Sequence, residues 1–381
     1  MVERNASDLH IRASRPPLIR IKGALQPIEN APPFKPEEVD SIAAAMMSEK
    51  QKRKFEEEQS IDLAYSVPGL MRFRVNVFRQ RGTTSAVFRN IALHIPNAEE
   101  MGLPTVLYTF CNKPQGLILV TGPTGSGKST TLATLVRQIN ETRNVHIVTI
   151  EDPIEFLFTD QKASMSQREV GIDTPSFGLA LKNALRQDPD VVLLGEMRDL
   201  ETISTVMMAA DTGHLVFSTL HTNNALQTIS RIIDVFPPEQ QDQIRLQLSN
   251  VLVGIVSQRL VPRLDGNGRI AAVEILINSP SIKNLINENK INEITEQMEK
   301  SVSYYRMQTL EQSLIALIAN KKIALEDALA ASIRPDDLRL MLSQSGFDEQ
   351  GNCLSIQESN MHSSSPGNEI NHSDDDSSYF M

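Results

Sequence analysis

Tryptophan is absent from the 381 residues, aromatic side chains make up 5%, and there are two cysteines, Cys111 and Cys353. Two thiols cannot build a disulfide framework or a four-thiolate zinc site. They are read as one small buried residue and one tail thiol. An excess of basic charge is also lacking: 37 Lys and Arg stand against 47 Asp and Glu, a net charge of -10. That balance argues against a protein that coats duplex phosphate by bulk charge, while leaving room for a local basic channel. No apolar run approaches the roughly 18 residues of a spanning helix, and residues 1–10 carry two acids and no hydrophobic signal core. The chain is therefore expected to be soluble and cytoplasmic.

What is present divides into units of different character, and the length suits two or three of them. Residues 1–95 read as a small mixed α+β domain. A turn at Pro16-Pro17 feeds a short strand, one helix is expected over 36–59, and 71–79 alternates apolar and polar residues as a half-buried strand. Arg72, Arg74 and Arg79 on that strand share no single parity, so they cannot all lie on one face. Residues 96–114 read as a linker with a short helix. From 115 to 345 four short apolar runs (116–120, 145–150, 191–194 and 215–219) alternate with helix-length segments such as 129–140 and 177–186. This is the signature of a mostly parallel sheet covered on both faces. From 247 onward the pattern is helical, apart from a strand candidate at 270–277, and ends in helices over 308–318 and 325–331. Residues 346–381 read as a disordered acidic tail: the last 30 residues hold eight Ser, five acids and no Lys or Arg.

The segment Gly122-Pro123-Thr124-Gly125-Ser126-Gly127-Lys128-Ser129, continued by Thr130, fits G-x-x-x-x-G-K-[ST] between a strand and a helix candidate. Glycines let successive N–H groups curl around an anion. Lys128 reaches the β- and γ-phosphates of ATP, and the Ser129 hydroxyl serves the accompanying Mg²⁺. Hydrolysis also needs a carboxylate to position water. Glu196 follows the strand 191–194 and is the first candidate for general base; Gly195 stands where a magnesium-coordinating Asp is common. Glu151, before Asp152-Pro153, is the second, exposed where ligands meet open α/β sheets. His214 and His221 bracket the strand 215–220, and about 23 Å of extended chain separates them. His221 shares the carboxyl edge with Lys128 and Glu196 and is read as a γ-phosphate sensor, whereas His214 opens the opposite edge. Arg72, Arg74, Arg79, Arg81 and Arg89 offer charge that a neighbouring subunit's site could use.

Taken with Ala6-Ser7-Asp8-Leu9-His10, Gln167-Arg168-Glu169-Val170-Gly171, Gly195-Glu196-Met197-Arg198-Asp199, the His box over 213–223 and Met307-Gln308-Thr309, these motifs resemble the PilT/PilU pilus retraction motors of the secretion ATPase superfamily. The resemblance runs to about Leu342. It implies a PAS-like N-terminal domain, a RecA-like P-loop ATPase domain with a helical C-terminal part, and a homohexamer with nucleotide between the domains. It also implies trans-acting arginines, for which Arg81 and Arg89 match best, and work at an inner-membrane pilus platform protein, with a second retraction ATPase as a possible companion. The features at 327–330 and 336–341 and the acidic tail look more like PilU, and the box at 195–199 more like PilT; the weight falls on the PilU side. The chain begins at what matches the end of the family's first helix, so Met1 reads as a late start or a truncation. An alternative is a RecA-like hexameric nucleic-acid motor, a helicase or packaging ATPase. That needs a basic, aromatic-lined channel, and the composition tells against it, so no nucleic-acid partner is expected. A third reading, an assembly module that binds ATP without hydrolysing it, would need Glu196 and Glu151 to be misplaced.

Overall fold

The computed structural model describes residues 1–348 except 5, 22, 68–70 and 92–93. Cys353 and the acidic, serine-rich stretch from 349 onward lie outside the described residues. In the N-terminal part, β1 (Asp8–Arg12), β2 (Leu18–Ile21), β3 (Ala24–Pro27), β4 (Ser60–Val67), β5 (Met71–Gln80) and β6 (Thr83–Asn90) form an antiparallel sheet in the order 3-2-1-6-5-4. The alternation expected over 71–79 is there: Phe73, Val75 and Val77 of β5 point into a core shared with Val39, Ala43 and Phe55 of the covering helices. The single helix expected over 36–59 is instead two, Pro36–Met46 and Glu49–Glu58. Met47 is extended, and Ser48 opens the second helix with a capping box: its hydroxyl accepts from Gln51 N–H, and Gln51 Oε1 accepts from Ser48 N–H at 2.9 Å.

The second sheet contains β7 (Gly116–Thr121), β8 (His146–Glu151), β9 (Ser164–Glu169), β10 (Val191–Leu194), β11 (Leu215–Leu220), β12 (Leu252–Pro262) and β13 (Arg269–Ile277), in the order 13-12-7-11-10-8-9. All are parallel except β13, which runs antiparallel to β12. Period-two alternation divides the apolar residues between two cores. Leu117, Leu119, Val148, Ile150, Val192, Leu194 and Val216 meet helices Phe177–Ala184, Leu200–Asp211, Ala225–Asp234 and Pro238–Val251. Ile118, Val120, Ile147, Val191, Leu193, Leu215 and Phe217 meet helix Lys128–Thr142 and the linker residues Phe110 and Cys111. Burial pushes the Cys111 thiol up to about 12, which makes it a packing residue and not a nucleophile.

Strand β12 corrects the expectation of a helical pattern from 247 onward. Its 11 residues include the polar pair Ser257-Gln258, which hides a strand buried on both faces from a reading by alternation. Gly254 is required there. A Cβ would stand 2.6 Å from Cζ of Phe110 and 2.7 Å from the Leu276 carbonyl oxygen. Helices Leu310–Ala319, Leu325–Ala331 and Pro335–Gln344 pack over Val261, Ile270 and Ala272 of the outer strand pair, and Phe347 is partly buried against them.

The linker holds the short helices Ala98–Met101 and Tyr108–Cys111 and is fastened to the helix behind the phosphate loop. Arg137 donates to the Ile95 carbonyl at 2.5 Å and Thr134 to the Pro96 carbonyl at 2.8 Å.

Candidate nucleotide site

Strand β7 delivers the chain at the carboxyl edge of the sheet, and the loop that follows turns on glycines with positive φ: 141° at Gly122, 78° at Gly125 and 90° at Gly127. L side chains disfavour such angles. Gly127 is the N-cap of helix Lys128–Thr142 and supplies no side-chain cap. The first-turn N–H groups of Lys128, Ser129 and Thr130 therefore have no partner within the helix, and the helix dipole adds to them, a ready anion cradle.

The cradle forms one wall of a cavity of about 470 Å³, within the size range of small-ligand sites. Thr124, Gly125, Gly127, Lys128, Ser129 and Thr130 line it, and Glu151, Asp152, Glu155, Glu196 and His221 line it from the ends of the neighbouring strands. Pro123 and Ser126 turn instead toward a groove on the outer side of the loop, beside Arg259 and Arg269.

The polar groups hold one another. Lys128 Nζ donates to the carbonyls of Gly122 (2.9 Å) and Pro123 (3.1 Å), and Ser129 Oγ donates to Glu155 Oε1 at 2.9 Å. Burial draws the Lys128 pKa down, with Glu196 and Glu155 opposing. Glu196 accepts from Arg198 Nε through one oxygen, and His221 Nε2 lies 3.3 Å from the other. Arg198 also lies 4.0 Å from Asp152 and 5.8 Å over the ring of Phe177. Gly195 has little room to be anything else: a Cβ there would lie 3.3 Å from the Ile150 carbonyl oxygen and 3.4 Å from Phe177. Glu151 is raised by burial, although it accepts from Thr149 Oγ1 (2.6 Å) and Gln167 Nε2 (3.3 Å).

The cavity thus brings together Glu196, Glu151, His221, Lys128 and Ser129. It does not include His214, whose Nδ1 lies 3.0 Å from the Ala209 carbonyl oxygen at the opposite end of β11. Arg81 and Arg89 do not line the cavity of their own chain: Arg81 sits in the β5–β6 turn, and Arg89 donates from β6 to Asp8 Oδ1 at 2.8 Å. A different arginine joins the two sheets. Arg72 of β5 donates to Glu169 Oε2 of β9 at 3.1 Å, and the same oxygen accepts from Ile154 N–H at 3.4 Å, in the turn that carries Glu155.

Several of these groups are missing from the site as read from sequence. Glu155, Arg198 and Glu169 lie inside recognisable motifs, but no spacing rule singled them out. Gln258 and Glu274 come from β12 and β13, and their only signal is a polar residue inside a strand-length apolar run. Glu274 Oε1 accepts from the N–H of Ala225 at 2.6 Å, at the start of the helix reached four residues beyond His221. Burial pushes Glu274 up to about 7.

Residues 1–327 match the model of the type II/IV secretion system protein family. The type IV pilus retraction ATPase PilT of Pseudomonas aeruginosa is 46% identical over 335 residues, covering 88% of this chain and 96% of that one. The type IV pilus ATPase PilU of the same organism is 42% identical over 342 residues, covering 90% and 89%. A crystal structure of the pilus retraction motor PilT with bound ADP superimposes with a TM-score of 0.83 at 48% identity, covering 88% of this chain and 96% of that one.

Proposed function

The chain belongs to the type II/IV secretion system protein family, and on that premise we propose that it is an ATP-hydrolysing motor that drives type IV pilus retraction as a homohexamer. The observation that carries the proposal is the meeting of a phosphate cradle with Glu196 and His221 in one cavity at the carboxyl edge of the sheet. In this reading residues 122–130 hold ATP, with Lys128 exchanging the carbonyls of Gly122 and Pro123 for the β- and γ-phosphates. Ser129, bonded here to Glu155, would hold Mg²⁺, which when bound would offset charge on the phosphate oxygens.

Glu196 is the general base. Its carboxylate takes the proton of the attacking water, and it can do so once Arg198 has swung off the oxygen it occupies. His221, already in contact with Glu196, senses the γ-phosphate. Glu151, raised by burial and held by Thr149 and Gln167, is the second carboxyl of the same wall. Arg81 and Arg89 complete the site of the adjacent subunit, which is why they lie away from their own. The partners are an inner-membrane platform protein and, for a PilU-like subunit, a second retraction ATPase. The chain then works on the cytoplasmic side of that membrane. Among the described residues no helix is long and apolar enough to cross it.

Steady-state ATPase activity of wild type beside Glu196→Gln, with particle mass determined in ATP, tests the proposal. The expected outcome is magnesium-dependent turnover on a hexameric particle, reduced at least ~100-fold in the variant. Tight ATP binding by wild type without turnover would overturn it.

A further inference from the structure

On the side of the phosphate loop away from the cavity, β12 places one buried side chain against it. Gln258 is 1% exposed. Its Nε2 donates to the Ser126 carbonyl at 2.6 Å, and its Oε1 accepts from Thr131 Oγ1 at 2.9 Å. A carbonyl can only accept, so the amide has one workable orientation. Ser126 belongs to the loop and Thr131 to the first turns of the helix, so a single side chain braces both ends of the stretch 127–130, whose N–H groups form the cradle. The loop's glycines answer to the same residue. A Cβ at Gly122 would collide with the Gln258 carbonyl oxygen, and one at Gly127 would stand 3.0 Å from Gln258 Nε2. Nothing else among the described residues bonds the Ser126 carbonyl through a side chain.

We infer that Gln258 is a positioning residue for nucleotide binding, which fixes the direction of the cradle's N–H groups by bridging Ser126 and Thr131 from behind. The inference rests on the reading of residues 122–130 as the ATP loop. Because the brace acts on the loop before any bond is broken, it serves ground state and transition state alike. Its loss therefore weakens nucleotide affinity and leaves turnover at saturation near the wild-type value. The effect is confined to ligands that reach deep into the loop, so ADP suffers and AMP hardly at all.

The test is calorimetric binding of magnesium-ADP and of AMP to the full chain. The variants are Gln258→Met, which keeps length and loses both hydrogen bonds, Thr131→Val, and Val256→Ala, a core residue of the same strand. Gln258→Met is expected to weaken ADP roughly tenfold, the worth of a buried hydrogen bond with its orphaned partners. Thr131→Val should weaken it about two- to fivefold, and the double variant should bind no worse than Gln258→Met alone, because the two act as one unit. Val256→Ala should lower the melting midpoint with ADP affinity intact. Wild-type ADP affinity in Gln258→Met, or a loss that Val256→Ala reproduces at equal melting midpoint, overturns the inference. If Gln258→Met does not fold, unchanged affinity in Thr131→Val overturns it alone. Failure of wild type to bind ADP sinks the ATP-loop reading instead, and is told apart by that control.

Discussion

Glu274 offers a perturbation whose sign and size follow from the fold. Its carboxyl lies among Ala225, Ser257 and Glu311, with Arg334 nearby, and burial lifts it from 4.5 to about 7. A raised carboxyl binds its proton more tightly in the folded state than in the unfolded chain. Stability from this group is thus complete below about pH 4.5, is lost as pH rises toward 7, and is level above that. At 1.36 kcal/mol per unit, the change between pH 5 and pH 8 comes to about 2–3 kcal/mol. Arg334 offsets part of the rise that burial and Glu311 cause. Glu274→Gln keeps the oxygen that accepts from Ala225 N–H and removes the titration. Urea denaturation followed by circular dichroism, at half-unit steps from pH 5 to 8, should show wild type losing stability relative to the variant by up to that amount. If the difference between the two proteins is the same at every pH, the carboxyl is not buried as described.

Gly254→Ala should destabilise by about 1–3 kcal/mol in the same denaturation assay, because the added methyl meets Phe110 and the Leu276 carbonyl with no room to yield; an unchanged midpoint would refute the close approach. Arg72→Leu leaves Glu169 buried without its cation and should cost about 3–5 kcal/mol, most of it recovered when Glu169→Leu is added. A double variant whose cost is the sum of the two single costs would show that the pair does not interact. His221→Ala should lower turnover about tenfold or more with ATP affinity kept, measured by stopped assay and calorimetry; equal loss of both refutes the sensor role.

Four strands of the parallel core, β7, β8, β10 and β11, were legible because they are short, continuous apolar runs that do not need alternation to be recognised; the polar edge strand β9 was not. The same property concealed β12. Ser257 and Gln258 interrupt the run, and they are polar because the loop they support needs partners, a reason that lies more than a hundred residues away in sequence. The break at Met47-Ser48 was legible in principle, since Ser48 followed by Gln51 is a capping box, but the helix-forming run 36–46 and the charged run after it read as one helix. In the site, the residues set by motif spacing, Lys128, Ser129, Glu196 and His221, do meet in one cavity. The groups that occupy them in this conformation, Glu155 and Arg198, depend on side-chain reach, on which spacing is silent.

The fastening of the linker to the phosphate helix makes that helix a lever. Arg137 stands nine residues beyond Lys128, about 14 Å along the axis. A tilt of about ten degrees pivoting at the loop would carry its guanidinium roughly 2 Å, more than a hydrogen bond tolerates. The Ile95 carbonyl must then travel with it or let go. Ile95 follows the last strand of the small sheet, Thr83–Asn90, by five residues, so an angular change too slight to disturb the cradle reaches the end of the other domain as a displacement the length of a bond or more.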